Sequence, residues 1–275
     1  MRVLVTGFEG FIGMRLAPYL DGRLRDVVPF YGDVATPDDW EENAKCRPDA
    51  VIHLAAMTGL AECEADRKRA YATNVGSVII AKGAIPYAKH ILASTVTIMG
   101  TGHGDRYRMY NEDVDVRPLT AYDATKAMAE EAMPDSGVVL RMSNVYGVSP
   151  SASSPERGVV NSFVYNSAHG IMNTVYAEVA QCVRDYIYVL DVVRAFDLAL
   201  DYDVMGTYNV CTGVGRTVEE MASLCGDCQI VEASRRLSPI ETRSFVGDNS
   251  RLRSFGWEPL VSLENGIEST RRVYQ

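Results

Sequence analysis

A glycine-rich turn at the start of the chain constrains its fold more than any other feature. Residues 1–6 (MRVLVT) form a short apolar run, residues 6–13 read TGFEGFIG, and helical apolar spacing follows. The order of strand, glycine turn and helix is typical of a dinucleotide site. Gly7 would allow the tight turn, Gly10 would let the backbone approach a pyrophosphate, and Gly13 would let the helix pack closely. The alternative is a plain βα turn that binds no ligand.

Length and composition set further limits. A chain of 275 residues can bury a large core, so we expect one large domain, alone or with a smaller lobe. The net charge of −9 argues against nucleic acid as a partner. The chain has no run of 18 apolar residues to span a membrane, no room for a signal peptide before its first strand, and six scattered cysteines, which together favour a cytoplasmic protein. The Cys225–Cys228 pair and the four histidines lack metal-ligand spacing, so no metal is expected.

Strand and helix patterns alternate through the first half of the chain. The helix at 36–45 begins with Thr36 as its cap and Pro37 at its first position. Repeated βα units with apolar strands predict an α/β fold with a doubly wound parallel sheet. The predicted strands are 25–30, 49–56, 90–95 and 137–144, and the other predicted helices are 73–89 and the segment around 122–126.

The second half predicts a smaller lobe. A polar, Ser/Pro-rich loop at 149–158 is the expected boundary. Residues 184–200 read as a strand followed by a helix capped near Asp191, and two further elements follow, a strand at 206–210 and a helix at 217–226. We therefore predict a dinucleotide domain of residues 1–148 with 185–212, and a substrate lobe of residues 149–184 with 213–275.

Tyr122 and Lys126 lie four residues apart in AYDATKAMAEE, a segment whose composition favours helix. On a helix the two side chains share one face, about one turn apart. An ammonium roughly 5 Å from a phenol, at an effective dielectric of about 20, favours the phenolate by about 3 kcal/mol and moves its pKa toward neutrality. Such a pair can shuttle a proton. An ordinary Tyr and Lys on a surface helix is the other interpretation.

Together with the glycine turn, this pair resembles the extended short-chain dehydrogenase/reductase family, most closely its NAD-dependent sugar-nucleotide epimerase/dehydratase branch. The similarity runs nearly from end to end. The resemblance implies a Rossmann fold with a small α/β C-terminal substrate lobe, NAD as cofactor and a nucleotide sugar as substrate. Further motifs in matching order are HLAA (53–56), TNVGS (73–77), STVTIMG (94–100), LRMSNVYG (140–147), VRDYIYVLDV (183–192), YNVCTGVGRTVEEMA (208–222) and FGWEPLVSLENGI (255–267).

The resemblance also implies roles for individual residues. Thr95 would hydrogen-bond the reacting oxygen, Tyr122 would take or give its proton, and Lys126 would bind the nicotinamide ribose and lower the pKa of Tyr122. Positions that contact the substrate phosphates in relatives correspond to Asn144, Arg184 and, more weakly, Arg243. Positions that match the cofactor site are Gly7, Phe8, Gly10, Phe11, Ile12, Gly13, Tyr31, Asp33, Val34, Leu54, Ala55, Ala56, Asn74, Tyr122 and Lys126.

Two residues after Thr95 narrow the implied reaction. Val96 and Thr97 occupy the places where related 4,6-dehydratases carry Asp-Glu, and where nucleotide-sugar decarboxylases carry Glu at the second place. Because neither Val nor Thr does acid–base work, dehydration and decarboxylation are disfavoured. A 4-epimerase acting through a transient 4-ketosugar remains, with an NAD(P)H-dependent reductase of a nucleotide-linked 4-ketosugar as the alternative. A non-catalytic dinucleotide sensor is a third hypothesis.

The end of the second predicted strand bears on the choice of cofactor. Tyr31 stands where an acid would bind the adenosine ribose of NAD, and no arginine follows at once to take the 2′-phosphate of NADP. We therefore predict NAD, with NADP as the alternative. In many relatives the helix near 76–88 and the helix of Tyr122 form a dimer interface. The second helix is expected to stop at Pro134, so a homodimer is one of two possible states.

Overall fold

The structure, a computed structural model, describes residues 1–100, 109–148, 158–201, 203–233 and 243–274. Apart from Gly158, the predicted boundary loop at 149–158 lies outside the described residues. The predicted division into a dinucleotide domain and a substrate lobe has other boundaries than the packing units and stays a prediction. The chain divides into two compact units, the first made of Met1–Met99, Asp115–Arg141 and Val193–Tyr208, the second of Gly100–Val114, Met142–Val192 and Asn209–Gln275.

Strands and helices alternate along the described residues, as the sequence predicts. The strands are β1 (Arg2–Thr6), β2 (Asp26–Pro29), β3 (Ala50–His53), β4 (Lys89–Thr95), β5 (Val138–Met142), β6 (Asn144–Tyr146), β7 (Asn173–Tyr176), β8 (Val183–Tyr188), β9 (Gly206–Val210), β10 (Gly215–Thr217) and β11 (Cys228–Val231). The α-helices are α1 (Gly13–Asp21), α2 (Pro37–Ala44), α3 (Leu60–Ala65), α4 (Arg67–Tyr71), α5 (Ser77–Ala84), α6 (Ala121–Ala132), α7 (Val159–Ala168), α8 (Ala177–Ala180), α9 (Val189–Ala199), α10 (Val218–Cys225), α11 (Ser250–Arg253) and α12 (Leu263–Arg271). A π-helix covers Ala72–Gly76, and 3₁₀-helices cover Val96–Met99 and Arg272–Tyr274.

A six-stranded sheet in the order β2-β1-β3-β4-β5-β9 confirms the predicted doubly wound architecture. The pairings of β1 with β2, of β1 with β3 and of β3 with β4 are parallel. The direction of winding reverses between β1 and β3. Ligands of such sheets bind beyond the carboxyl ends of the strands at that reversal, so the turn after β1 is where a ligand is expected.

Apolar burial on both faces explains why the central strands read as continuous apolar runs. Every residue of β3 and β4 is buried, as expected for a parallel sheet covered by helices. One core cluster packs Leu4 and Val51 of the sheet against Trp40 of α2 and Ala81 of α5. Trp40 is fully buried, and its indole N–H donates to the carbonyl oxygen of Val34 at 2.8 Å. This contact fixes the loop between β2 and α2.

The second unit has its own small sheets and its own core. One sheet has the order β10-β8-β6, with β10 antiparallel and β6 parallel to β8, and β11 pairs with β7 in parallel. Tyr146, Tyr186 and Tyr188 pack in the core with Met221 of α10 and Ile267 of α12. Among the residues that the structure describes, no helix has the length and apolar character to cross a membrane.

The start of α9 differs from the prediction of a cap near Asp191. The helix begins at Val189, so Asp191 lies in its first turn. The Asp191 carboxylate instead accepts the backbone N–H groups of Leu260 and Val261, both at 3.0 Å. The prediction was wrong because local capping rules do not foresee donors about 70 residues away in sequence.

Candidate active site

The glycine turn after β1 lies against the loop that follows β3. Gly7 has φ +64°, and a Cβ atom added to it would stand 2.6 Å from the backbone nitrogen of Ala55. The Thr6 hydroxyl accepts the N–H groups of Leu54 and Ala55, both at 3.1 Å. Glycine is therefore required at position 7 for two reasons, the positive φ and the close approach of the two backbones.

The third glycine places the start of α1 against the turn. A Cβ atom on Gly13 would stand 2.4 Å from the carbonyl oxygens of both Gly7 and Phe8. At the N-terminus of α1, Ile12 provides no side-chain cap. The N–H groups of Met14 and Arg15 already donate to the carbonyl oxygens of Gly10 and Ile12, both at 3.0 Å, so the helix start offers an anion mainly its positive dipole end. This arrangement fits the pyrophosphate of a dinucleotide.

A methyl group at Gly13 should disturb this binding turn. Overpacking a close contact costs roughly 1–3 kcal/mol, so we expect Gly13→Ala to weaken NAD binding by about fivefold or more in calorimetric titration. Gly83→Ala is the matched control, because a Cβ atom there meets nothing within 4 Å. An NAD affinity of Gly13→Ala equal to that of Gly83→Ala would contradict the assigned role of the turn.

A cavity of about 700 Å³ opens beside this turn within the first unit. Its volume suits a nucleotide-sized ligand. The predicted cofactor residues on its wall are Gly7, Phe8, Gly10, Tyr31, Asp33, Val34 and Ala55. The other predicted cofactor residues are not on this wall, namely Phe11, Ile12, Gly13, Leu54, Ala56, Asn74, Tyr122 and Lys126.

Further residues on the cavity wall were not predicted from the sequence. Pro29 and Phe30 lie at the carboxyl end of β2, so the rule that ligands bind beyond strand ends could have found them. Arg69 comes from α4, and no local sequence pattern predicts that this helix reaches the cavity. The complete set of unpredicted wall residues is Glu9, Pro29, Phe30, Gly32, Ala35, Arg69, Ala72 and Thr73.

The part of the cavity wall around Tyr31 is shaped by the loop after β2. Asn43 of α2 holds the backbone of Tyr31 from both sides: its Oδ1 accepts the Tyr31 N–H at 3.1 Å, and its Nδ2 donates to the Tyr31 carbonyl at 2.8 Å. The ring of Tyr31 is 74% exposed, so it is available to stack on a ligand. The Asp33 carboxylate accepts the Ala35 N–H at 2.9 Å, which keeps it in the loop.

Asn74 lies in the π-helix and bonds to protein groups on two sides. Its Oδ1 accepts the Met57 N–H at 2.8 Å, and its Nδ2 donates to the Met57 carbonyl at 3.1 Å and to Thr125 Oγ1 at 2.9 Å. Asn74 thus fastens the loop that carries Ala55 to helix α6. Asn74 is 2% exposed and does not lie on the cavity wall, so its predicted contact with the cofactor stays a prediction.

The predicted catalytic residues come from the end of β4 and from α6. Thr95 is the last residue of β4, and α6 begins at Ala121 after Thr120, whose hydroxyl accepts the Asp123 N–H at 2.9 Å. The Tyr122 hydroxyl shares a hydrogen bond with Thr95. The structure therefore brings Thr95 and Tyr122 together, across 27 positions of sequence.

The electrostatics of Tyr122 correct the prediction from sequence. The pKa of Tyr122 is raised, first by burial and then by the negative charge of Asp123 and by Cys63. Lys126 is 4% exposed, and burial lowers its own pKa to about 8. The predicted lowering of the Tyr122 pKa was wrong for the protein alone, because burial disfavours the phenolate and the negative charge of Asp123 adds to that effect.

A buried ion pair supports α6 one turn beyond Lys126. Arg141 of β5 donates to the Glu130 carboxylate through Nε at 3.1 Å and through Nη2 at 2.7 Å. The side chains are 7% and 10% exposed. Ser94 Oγ also donates to Glu130. The Glu130 charge acts on Lys126 as well, since it opposes the lowering of the Lys126 pKa by burial.

The predicted substrate residues belong to the second unit. Asn144 of β6 donates through Nδ2 to the Asp185 carbonyl at 2.9 Å, so it is held on β8. Arg184 of β8 pairs with Phe245 in a parallel bridge, and the Phe245 N–H donates to the Val183 carbonyl at 2.8 Å. This pairing places Arg243, two residues before Phe245, next to the start of β8. Their predicted contacts with substrate phosphates stay a prediction.

Comparison with known proteins adds a family and several relatives. The sequence model of the NAD dependent epimerase/dehydratase family matches residues 3–211. The chain is 26% identical to a GDP-6-deoxy-D-mannose reductase of Pseudomonas aeruginosa, over 98% of this chain and 95% of that protein. It is 28% identical to a UDP-glucose 4-epimerase of Rhizobium meliloti, over 98% of this chain and 95% of that protein.

The fold also matches solved structures over its whole length. The UDP-glucose 4-epimerase of Thermus thermophilus, solved in complex with NAD, superposes with a TM-score of 0.84 at 28% identity, covering 100% of this chain and 99% of that chain. The relatives thus include an epimerase and a reductase at similar identity.

Proposed function

Because the chain belongs to the NAD-dependent epimerase/dehydratase family, whose members are NAD(P)-dependent enzymes of nucleotide-sugar metabolism, we propose that it is a nucleotide-sugar 4-epimerase. The family match confirms the predicted resemblance. In the proposed reaction the sugar is oxidised at C4 to a transient 4-ketosugar and then reduced from its other face. Bound NAD would supply the hydride acceptor and donor.

The observation that carries the proposal is the hydrogen-bonded pair of Tyr122 and Thr95 beside two residues without acid–base chemistry, Val96 and Thr97. In this reaction Tyr122 takes the proton of the C4 hydroxyl during oxidation and gives it back during reduction. Thr95 holds the Tyr122 hydroxyl in place. No second acid or base is needed, since the same proton leaves and returns.

Cofactor residues would hold the dinucleotide along the first unit. The turn of Gly7 to Gly13 and the start of α1 would take the pyrophosphate, and Tyr31 and Asp33 on the cavity wall would contact the adenosine. Lys126, close in sequence and on the same helix as Tyr122, would bind the nicotinamide ribose. Arg184 and Arg243 of the second unit would bind the diphosphate of the nucleotide sugar as cations.

The test is a screen of UDP-, dTDP-, GDP- and CDP-sugars against the purified protein. We expect at least one to be interconverted with its C4 epimer, followed by NMR, without net consumption of NAD(H). The NAD should remain with the protein through many turnovers. If no C4 epimer forms from any of these sugars, the proposal fails.

The second candidate is an NAD(P)H-dependent reductase of a nucleotide-linked 4-ketosugar. The similarity to a GDP-6-deoxy-D-mannose reductase favours it. The raised pKa of Tyr122 also suits the acid that a ketone reduction needs. A reductase would oxidise one reduced cofactor for each product molecule. It would release the oxidised cofactor in each turnover. Stoichiometric loss of absorbance at 340 nm with a 4-ketosugar would decide for this alternative.

Cofactor preference gives a separate prediction. We expect NAD to bind more tightly than NADP, because Tyr31 follows β2 without an adjacent arginine for the 2′-phosphate. Arg69 also lies on the cavity wall, so its guanidinium has to be tested as a site for the 2′-phosphate. If Arg69 contacts a 2′-phosphate, Arg69→Ala will weaken NADP binding and spare NAD. Fluorescence titration that gives NADP an affinity tenfold above that of NAD would contradict the prediction.

A further inference from the structure

Two arginines of the second unit lie directly opposite each other on neighbouring strands. In the antiparallel pairing of β10 with β8, Arg216 is the register partner of Arg184. Residues opposite each other on antiparallel strands point to the same face, with Cβ atoms about 4.5–5.5 Å apart, and like charges in such a pair destabilise the sheet. An anion bound between these two side chains would therefore be stabilising.

The carboxylate that is nearest in sequence does not neutralise Arg216. Asp185 follows Arg184 on β8, so its side chain points to the opposite face of the sheet. There its two oxygens accept the N–H groups of Thr212 and Gly213, at 2.9 and 2.8 Å. In the part of the chain that the structure describes, Arg216 forms no ion pair, and its buried Nε has no hydrogen-bond partner. Its charge is therefore available to a ligand.

A cavity of about 400 Å³ opens on this face of the small sheet, within the second unit. Its wall includes Arg216 and Tyr186, and Tyr186 stands two residues after Arg184, so it points to the same face. Tyr186 is 4% exposed, and its hydroxyl oxygen has no hydrogen-bond partner among the described residues. Burial raises the pKa of this phenol to about 12, so the hydroxyl keeps its proton and remains a donor. Two polar groups without described partners thus lie at the wall of one cavity.

The other charged side chains on this wall are engaged by neighbours or face water. Arg253 of α11 donates through Nε to Asn249 Oδ1 at 2.9 Å, and its Nη1 lies 3.5 Å from the Glu258 carboxylate. Glu264 is exposed to solvent, where water and salt screen its charge. Among the described residues of this wall, Arg216 is therefore the cation without a protein counterion.

We propose that Arg216 is a further substrate-binding residue, which binds the diphosphate of the nucleotide sugar together with Arg184. The inference rests on the proposed function, which assigns this diphosphate to Arg184, and it adds a residue that the sequence did not indicate. A diphosphate carries negative charge on both of its phosphoryl groups, and a guanidinium forms paired N–H···O hydrogen bonds to such a group. Bound between the two arginines, the diphosphate turns their repulsion into attraction. A single carboxylate or a neutral sugar lacks the second anionic group.

The experiment is a calorimetric titration of the full chain with UDP, dTDP, GDP and CDP, and the diphosphate that wild type binds most tightly serves as the probe. We expect Arg216→Met to bind it about 10- to 100-fold more weakly, the effect of losing hydrogen bonds to a charged group. Arg216→Lys keeps the charge without the planar fork, so it should lose less affinity. Without ligand, Arg216→Met should unfold at a temperature no lower than wild type, because the contact between like charges is relieved.

Arg272→Met is the matched control, because Arg272 is an exposed arginine of the second unit that pairs with Glu268 at 3.4 Å. Its affinity for the diphosphate should equal that of wild type. An unchanged affinity in Arg216→Met would overturn the inference. A loss of affinity together with a lower unfolding temperature without ligand would also overturn it, since that is the result expected of an arginine that only supports the fold. Failure of wild type to bind any of the four diphosphates would do the same.

The titration needs no turnover, so it separates this inference from the proposed function. Diphosphate binding that depends on Arg216, in a protein that epimerises no nucleotide sugar, would leave the inference standing and reject the proposed function alone. Epimerisation with the same KM in wild type and Arg216→Met would reject the inference and leave the proposed function standing.

Discussion

Replacing Tyr122 with phenylalanine is expected to lower turnover of the nucleotide sugar by about 10²–10⁴-fold, the range that a positioned acid–base group contributes. The variant keeps the ring and removes only the hydroxyl that bonds to Thr95. Tyr122 is not on the wall of the cavity proposed for the dinucleotide, so NAD affinity should stay close to wild type. The measurements are the rate of C4 epimer formation and a calorimetric titration with NAD.

Tyr87→Phe is the matched control for this prediction. Tyr87 is also in the first unit and is 63% exposed, so loss of its hydroxyl should leave turnover unchanged. Undiminished activity of Tyr122→Phe on the true substrate would remove Tyr122 from the mechanism. Loss of NAD binding in parallel with activity would instead show that the variant disturbs the fold of α6.

Arg141→Met should destabilise the protein by about 3–5 kcal/mol, the usual effect of leaving one member of a buried ion pair uncompensated. Glu130, at 10% side-chain exposure, would lose the guanidinium and be left with the Ser94 hydroxyl and the charge of Lys126 one turn away. The free energy of unfolding from denaturant titration, followed by circular dichroism, measures the effect. A change below about 1 kcal/mol would show that water replaces the guanidinium.

Two further variants distinguish the effect of the buried ion pair from the effect of its surroundings. The double variant Arg141→Met with Glu130→Leu removes both charges and should regain much of the lost stability, since apolar replacements of buried ion pairs are often neutral. Glu131→Gln, one residue along α6 at an exposed position, should change the free energy of unfolding by no more than about 0.5 kcal/mol. If Glu131→Gln destabilised the protein as much as Arg141→Met, the burial of the ion pair would not explain the effect.

The parts of the site that follow strand ends could be predicted from the sequence. The glycine turn after β1 and Thr95 at the end of β4 follow from motif order, because a parallel sheet brings its carboxyl ends to one edge. The capping box of α10, with Thr217 and Glu220, is likewise a local signal and places the helix within one residue of the prediction.

What the sequence could not predict depends on distant partners. Arg69 reaches the cavity beside the glycine turn only because α4 packs there, and the Asp191 carboxylate accepts the backbone N–H of Leu260, which lies 69 positions later in the sequence. The pKa of Tyr122 depends on how deeply α6 is buried, which the spacing of Tyr122 and Lys126 does not contain. The hydrogen bond that Thr97 Oγ1 donates to Asp123 Oδ1 at 2.6 Å needs the 3₁₀-helix after β4 to turn toward α6.

The π-helix at Ala72–Gly76 makes the length of this segment a stricter requirement than its composition. A π-turn holds one residue more than an α-turn, and each residue of an α-helix rotates the side chains by about 100°. Deletion of one of the other residues from 72 to 76 should restore an ordinary helix and rotate Asn74 away from Met57 and Thr125. Homologous chains that keep the hydrogen bonds of Asn74 must therefore keep the extra residue of the π-helix, whatever residues occupy the segment.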